Sequence, residues 1–376
     1  MIDVVIIGAG PSGSSCAYNL KKQNPNTTVM LIDKAIFPRY KPCGGGISPE
    51  VLNYLDFDLR DGANSFCRKV SVVAKGRKLE GPACDIFMVR REQFDYFLVK
   101  KAQSIGVEVL LDCEVTDIEN TKSQVIVKTK KGDFAAKIAV LAEGGSGKLA
   151  RKLNIAPNNN VAAALEYEHY QENNDGVMEI DFDQNSDGYA WVFPKSDGLS
   201  IGIGRFSKEK KSSAGLPEKL KKYLQQHGVN DINRKQLHGH PVHLYSGRKK
   251  LVHGRILLIG EIAGCVDPLS AEGIRPAIKS GYLAAKCIAS FLQDGKLSHI
   301  KKYNRDFHRE IGRDFQYARI ASYFLNRYNS KMLSLAVSTG SLNHYMAIFN
   351  GQATYRDYIN VRRIFKMIQI GFSRVT

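Results

Sequence analysis

An apolar strand that runs straight into Gly8-x-Gly10-x-x-Gly13 and out into a helix leaves few folds open. Val4 to Ile7 is the strand, the helix reads to about Lys22, and a second strand, Thr28 to Asp33, follows Asn24-Pro25-Asn26. This is a βαβ unit. Gly8 permits the tight turn, Gly10 lets the backbone approach a pyrophosphate, and Gly13 allows the helix to pack closely on the strand. The first helical residues, Pro11 and Ser12, stand where free N–H groups attract phosphate charge. Asp33 follows Gly13 by 20 residues, in place to accept the ribose hydroxyls of an adenosine, with Lys34 beside it. The pattern predicts a dinucleotide site.

Further along, the prolines and glycines of Pro38-Arg39-Tyr40-Lys41-Pro42-Cys43-Gly44-Gly45-Gly46 exclude regular structure, so this segment is a loop. A helix is expected over about 92–104 and strands over 107–111, 124–129 and 138–142. From about 161 to 244 the chain changes to short strands separated by Asn, Asp and Gly, with one basic helical insertion near 217–227. That stretch predicts a substrate-facing antiparallel sheet. A buried strand at 255–259 then ends in a second glycine-containing turn before a helix at 274–292, which returns the chain to its first domain. The tail from about His299 is helical, with Phe307, Ile311, Phe315, Ala318, Ser322 and Leu325 spaced to bury one face.

A length of 376 residues suits two joined domains, and 43% hydrophobic with 24% charged residues is a globular rather than a disordered balance. The net charge of +17 is uneven: from Lys296 to Thr376 there are 14 Lys and Arg against 4 Asp and Glu, which places +10 in the tail. Such a patch suits an anionic membrane surface; no nucleic-acid-binding module accompanies it. Seven scattered cysteines without a Cys-x-x-Cys pair read as reduced thiols. Met1 leads directly into strand, which predicts a cytoplasmic protein. No stretch approaches the roughly 18 apolar residues of a spanning helix, so membrane contact would be peripheral, at the inner face.

Later residues choose among dinucleotides. Arg91-x-x-Phe94-Asp95-x-x-Leu98, Ala142-Glu143-Gly144-Gly145-Ser146, and Leu258-Ile259-Gly260-Glu261-Ile262-Ala263-Gly264 through Pro268 and Glu272-Gly273 occur in the order seen in aromatic-hydroxylase-like flavoproteins. Two segments resemble the geranylgeranyl reductase family within that group. They are Lys41-Pro42-Cys43-Gly44-Gly45-Gly46, and Tyr189-x-Trp191-x-Phe193-Pro194 followed, after seven intervening residues, by Gly202-x-Gly204. The resemblance spans roughly residues 1–292. It implies an α/β fold: a Rossmann-like FAD-binding domain (1–65, 90–160 and 250–298), an inserted antiparallel-sheet substrate domain (66–89 and 161–249) and a C-terminal helical region (299–376).

The same resemblance implies an FAD site of Gly8, Gly10, Pro11, Ser12, Gly13, Asp33, Lys34, Cys43, Gly44, Gly45, Arg91, Val115, Glu261, Pro268, Gly273 and Ile274. Arg91 would lie near the phosphates and ribityl chain, Glu261 by the ribityl or pyrophosphate, and Pro268 and Gly273 by the isoalloxazine. A helix starting at Gly273 would aim N–H groups at the flavin N1/O2 edge, where reduced flavin is negative. Tyr189, Trp191, Phe193, Pro194, Gly202 and Gly204 would form the substrate site, although the three aromatics also fit a plain core face. Cys43 reads either as a small turn residue or as a thiol beside the flavin that assists catalysis. Glu143 and Glu261 stand where the wider group usually has Asp, which weakens any direct nicotinamide docking at Glu143-Gly144. His238-x-His240-x-x-His243 lacks the partners and the common face of a metal site.

The expected activity is FAD-dependent reduction of carbon–carbon double bonds in a prenyl lipid, with electrons from a nicotinamide, ferredoxin or quinol. A flavin monooxygenase or halogenase, and a quinone-linked electron carrier, are the alternatives.

Overall fold

A computed structural model describes residues 1–157, 160–171, 175–206, 215–338 and 341–358. Two eight-stranded sheets organise it. The first is centred on Ile2–Ile7, flanked in parallel by Val29–Ile32 on one side and Gly132–Leu141 on the other, with Glu108–Leu110 and Ile256–Leu258 outside them. Val4 to Ile7, Val29–Ile32 and Ile138 to Leu141 are apolar and buried, as expected of a parallel sheet covered on its faces. The chain leaves Ile2–Ile7 toward one neighbour and returns on the other side, so Gly8 sits where the strand order reverses. In open α/β sheets that crevice takes the ligand.

The helix Pro11–Gln23 follows the glycine turn and packs on Ile274–Asp294. Contact is close because Gly281 has no side chain: a Cβ there would lie 2.3 Å from the Ser12 carbonyl oxygen. Ser15 Oγ, at 2.9 Å, donates to the Ile278 carbonyl and locks the two helices in register. The expected return of the late chain to the first sheet is therefore a helix–helix seam.

The second sheet runs in the order Leu237–Leu244, Asn160–Tyr170, Gly198–Arg205, Gly188–Lys195, Val177–Asp181, Ser65–Ala74, Arg77–Met88 and Gly46–Ile47. It is antiparallel except where Val177–Asp181 runs parallel to Ser65–Ala74. The strands are not all short, since Asn160–Tyr170 and Arg77–Met88 are among the longest in the molecule. Side-chain alternation divides the sheet into two faces. Ala190, Val192, Ile201 and Ile203 lie under the amphipathic helix Leu216–Gln226, while Tyr189 and Trp191 belong to a separate apolar cluster on the opposite face.

The tail is helical, and Phe307, Ile311, Phe315, Ala318 and Ser322 are buried, with Leu325 partly so. A π-helical turn at His308–Gly312 explains two successive spacings of four: the wider turn keeps Phe307, Ile311 and Phe315 on one side. The basic amphipathic segment expected at Val361, Arg362, Arg363, Ile364, Phe365, Lys366, Ile368, Phe372 and Arg374 lies outside the described residues.

Candidate active site

The three glycines of the first turn have separate physical tasks. Gly8 has a φ of +108°, and a Cβ on it would lie 2.3 Å from the Ala142 carbonyl oxygen. At Gly13 a Cβ would lie 1.9 Å from the Gly8 carbonyl oxygen, so helix and turn touch backbone to backbone. Gly10 is open: the nearest atom to its Cβ position is Arg39 Nη2 at 3.8 Å. It is also the N-cap of Pro11–Gln23, with Pro11 as the first helical residue. Asp33 braces the turn, accepting from the Ala9 N–H at 2.7 Å and the Ala35 N–H at 2.8 Å. A carboxylate has further lone pairs for hydroxyl donors.

Gly8, Gly10, Pro11, Ser12, Asp33, Lys34 and Val115 line one continuous cavity of about 650 Å³, to which Cys43, Gly44, Gly45, Arg91, Glu261, Gly273 and Ile274 also contribute. Arg91 is buried, not a surface residue, and makes a two-pronged pair with Asp95 at 2.7 Å for each bond. Despite burial, Asp95 holds its pKa above the ordinary arginine value, and Arg91 also hydrogen-bonds the Cys43 side chain. Arg39 Nη2 shares Asp95 at 3.1 Å, whereas its buried Nη1 has no hydrogen-bond partner among the described residues. A cationic donor left over beside the open Gly10 suits a phosphate oxygen. At the other end, Ile274–Asp294 starts at Gly273 with no acidic residue in its first turn, leaving its N-terminal dipole for a ligand. The residues present thus fit FAD.

Four of the expected residues are not on the cavity wall. Gly13 is closed against Gly8. Pro268 is buried beneath the wall, next to Asp267, whose carboxylate accepts from the Leu269 and Ser270 N–H groups. The even-numbered Pro194 is buried out of line with the aromatics, and its carbonyl accepts from Ser65 Oγ at 3.3 Å. Gly202 is the seat of Trp191, because a Cβ there would lie 2.1 Å from indole Cζ2.

Tyr189, Trp191 and Phe193 all face the cavity, joined by Gly204, Phe206 and Phe349. Trp191 Nε1 donates to Ser200 Oγ at 3.3 Å, and Tyr189 donates its hydroxyl to the Ser270 carbonyl, so each polar tip is satisfied while the rings stay apolar. The Cys43-Gly44-Gly45-Gly46 loop packs directly on them: a Cβ on Gly44 would lie 2.8 Å from Phe193 Cδ2. The motif separated in sequence from the aromatic strand is its neighbour in space.

The partners of the charged side chains around the cavity, which the sequence alone does not reveal, complete the site. Glu143 caps the short helix Lys148–Lys152, accepting from the Leu149 and Ala150 N–H groups at 2.9 and 3.0 Å, so its carboxylate is committed to structure. Glu261 lies 3.5 Å from Lys41 Nζ and 3.9 Å from His240 Nε2, and accepts from the His243 N–H at 3.1 Å. Burial opposes its ionisation, but His240, Lys41 and that N–H hold its pKa down to about 2. His238 lies tilted against the Tyr40 ring instead, with ring centroids 4.3 Å apart. Among the described residues no group of three or more His, Cys, Asp and Glu could hold a metal ion.

Because the folded Glu261 pKa lies below its unfolded value of about 4.3, its stabilisation is present above that value and is lost as pH falls toward 2. Its size is on the order of 2–3 kcal/mol. We expect Glu261→Gln to lower thermal stability at pH 7 and to flatten the loss of stability between about pH 4 and 2, measured by unfolding at several pH values. An unchanged acid profile would show that the carboxylate is not held as described.

Residues 2–175 match the pyridine nucleotide-disulphide oxidoreductase family. An uncharacterized protein of Methanosarcina barkeri is 31% identical over 87% of this chain and 83% of its own length. Digeranylgeranylglycerophospholipid reductase 2 of Methanopyrus kandleri is 25% identical over 88% of each chain. Among solved structures, a geranylgeranyl bacteriochlorophyll reductase-like protein from Thermoplasma acidophilum superposes with a TM-score of 0.78 at 22% identity, covering 97% of this chain and 95% of that one. The flavin-dependent brominase Bmp2 superposes over the whole of both chains with a TM-score of 0.75 at 20% identity, which makes it a relative in fold.

Proposed function

The chain belongs to the geranylgeranyl reductase family of FAD-dependent oxidoreductases, and from that membership we propose that it reduces carbon–carbon double bonds of a prenyl lipid. Its cofactor is FAD, which supplies hydride when reduced. The observation that carries the substrate class is the aromatic wall of Tyr189, Trp191, Phe193 and Phe206 in the same cavity as the glycine turn. An isolated alkene offers no polar handle, so orientation must come from shape and apolar contact.

The chain's own residues divide the work. Gly10, Arg39 and the start of Pro11–Gln23 would receive the phosphates, Gly273 and the start of Ile274–Asp294 would hold the ring system, and the aromatic strand would exclude water around the reacting chain. Cys43 stands where cofactor and substrate surfaces meet, held by Arg91. The brominase likeness favours no monooxygenase or halogenase reading, since it is one of fold at low identity.

Mass spectrometry of digeranylgeranyl lipids and geranylgeranyl diphosphate after incubation with dithionite-reduced enzyme tests the reading without a natural electron donor. Products two mass units heavier per bond are expected, and a flavin-loaded enzyme that leaves every such lipid unchanged would overturn it. The basic C-terminal region belongs to the same proposal as a device for collecting lipid from an anionic surface. No helix among the described residues is long and apolar enough to cross a membrane. Salt-sensitive flotation with anionic but not neutral vesicles is the expected behaviour.

A further inference from the structure

Six carboxylates line the cavity, and five of them are matched to pairs of backbone N–H groups or to a cationic side chain. Asp33 and Glu143 each accept from two backbone N–H groups. Glu261 faces Lys41, Glu272 is forked to Arg275, and Glu114 pairs with Lys130 at 2.7 Å. Glu166 differs. It is 3% exposed, at mid-strand in Asn160–Tyr170, and its hydrogen-bond partners are the neutral Tyr40 hydroxyl at 2.8 Å and the Cys43 backbone N–H. Tyr40 is 42% exposed, so the side chain that bonds the buried carboxyl also reaches the protein surface.

We propose that Glu166 is the acid that delivers the proton in alkene reduction and that Tyr40 reloads it from water, an assignment that rests on the prenyl-reductase reading. The carboxyl O–H breaks as a C–H bond forms at one alkene carbon, while the other carbon takes hydride from the reduced flavin. The π bond is consumed, the flavin is left oxidised, and the Glu166 carboxylate regains a proton through the Tyr40 hydroxyl. The position is suitable because the Cys43 N–H that touches Glu166 belongs to the loop packed on Phe193.

Burial in this setting favours a carboxyl that is still protonated close to neutrality. Burial, then the Glu168 charge two residues on, push Glu166 up to about 7, against the Tyr40 and Cys43 hydrogen bonds and the Lys195 charge. Glu168 is itself paired with Arg90. Lys195, pushed down by burial to about 8, donates to the Gly44 and Val89 carbonyls. His238 is the direct cross-strand neighbour of Glu166 and lies against the Tyr40 ring. Each of these groups contributes to the field at the carboxyl, so its titration must be assigned by variants.

With dithionite-reduced, FAD-loaded protein, Glu166→Gln is expected to retain flavin and lose roughly 100-fold in turnover, the lower end of general-acid contributions. The wild-type rate is expected to fall as pH rises through about 7, a limb that Glu166→Gln abolishes and Glu166→Asp shifts while restoring part of the rate. Tyr40→Phe is expected to keep flavin and slow turnover roughly 10-fold. Independently of turnover, infrared spectra of the oxidised protein are expected to show a protonated-carboxyl band at pH 6 that titrates away and is missing in Glu166→Gln.

Wild-type rate and pH profile in Glu166→Gln, or absence of that infrared band from the wild type, would overturn the assignment while prenyl reduction stands. Loss of flavin in proportion to activity would also overturn it, making Glu166 a cofactor ligand. A wild-type enzyme that reduces no prenyl lipid would remove the reading beneath it as well. If Glu166→Gln fails to fold, the rates and pH profiles of Glu166→Asp and Tyr40→Phe decide.

Discussion

Gly10→Val is expected to purify folded but colourless, whereas Gly13→Ala is expected not to yield a folded protein. These opposite outcomes follow from where the two missing side chains would go. At Gly10 the Cβ meets nothing closer than 3.8 Å, and the backbone is already in an extended conformation that any residue adopts, so the helix start loses under about 1 kcal/mol. The branched side chain instead fills the space in which backbone and pyrophosphate would meet. An affinity loss of at least about 100-fold, near 2.7 kcal/mol, is expected for FAD. At Gly13 the clash is with a backbone carbonyl at 1.9 Å, which cannot rotate away as a side chain could. Flavin absorbance per protein and thermal unfolding separate the outcomes. A yellow Gly10→Val protein of normal flavin affinity would place the pyrophosphate elsewhere.

Gly202→Ala is expected to cut turnover on a long prenyl chain by roughly 100-fold while leaving flavin content unchanged. The added methyl carbon would fall 2.1 to 2.5 Å from three indole atoms of Trp191, so the ring must leave its seat. The sheet closes one side, and the cavity is where the ring can go. Trp191 is the sole tryptophan, so its emission reports the displacement without labelling. Shifted fluorescence with normal turnover would assign the aromatic strand to the core and remove it from substrate binding. Lost flavin would assign it to the cofactor.

Local chemistry explains what is legible in the sequence. The glycine turn, the helix behind it and Asp33 sit within one short stretch, and each is dictated by backbone geometry that only certain residues allow. The odd-numbered aromatics were legible as one face because strand alternation is strict, although alternation alone cannot tell cavity from core. Pairings over long sequence distances were not legible. Tyr40 meets Glu166 across 126 positions, and nothing in either neighbourhood announces the other. Glu143 stands out in the sequence only as a departure from the usual Asp, and its commitment to the Lys148–Lys152 helix start depends on a turn that Gly144 and Gly147 shape through left-handed backbone. Pro268, in sequence with cavity residues on either side, is turned inward by the loop that Asp267 organises.

The seam between Pro11–Gln23 and Ile274–Asp294 has a consequence for the newborn chain. The helix that carries the phosphate-binding turn emerges from the ribosome first, but the helix that covers it emerges some 260 residues later, as does the strand Ile256–Leu258 that flanks Gly132–Leu141. At an elongation rate of about 5–20 residues per second, Cys16, Ala17 and Leu20 wait for tens of seconds before their partner surface exists. Cofactor capture is therefore a late event in biosynthesis, and chains stalled before Asp294 present chaperones with an open apolar groove instead of a binding site.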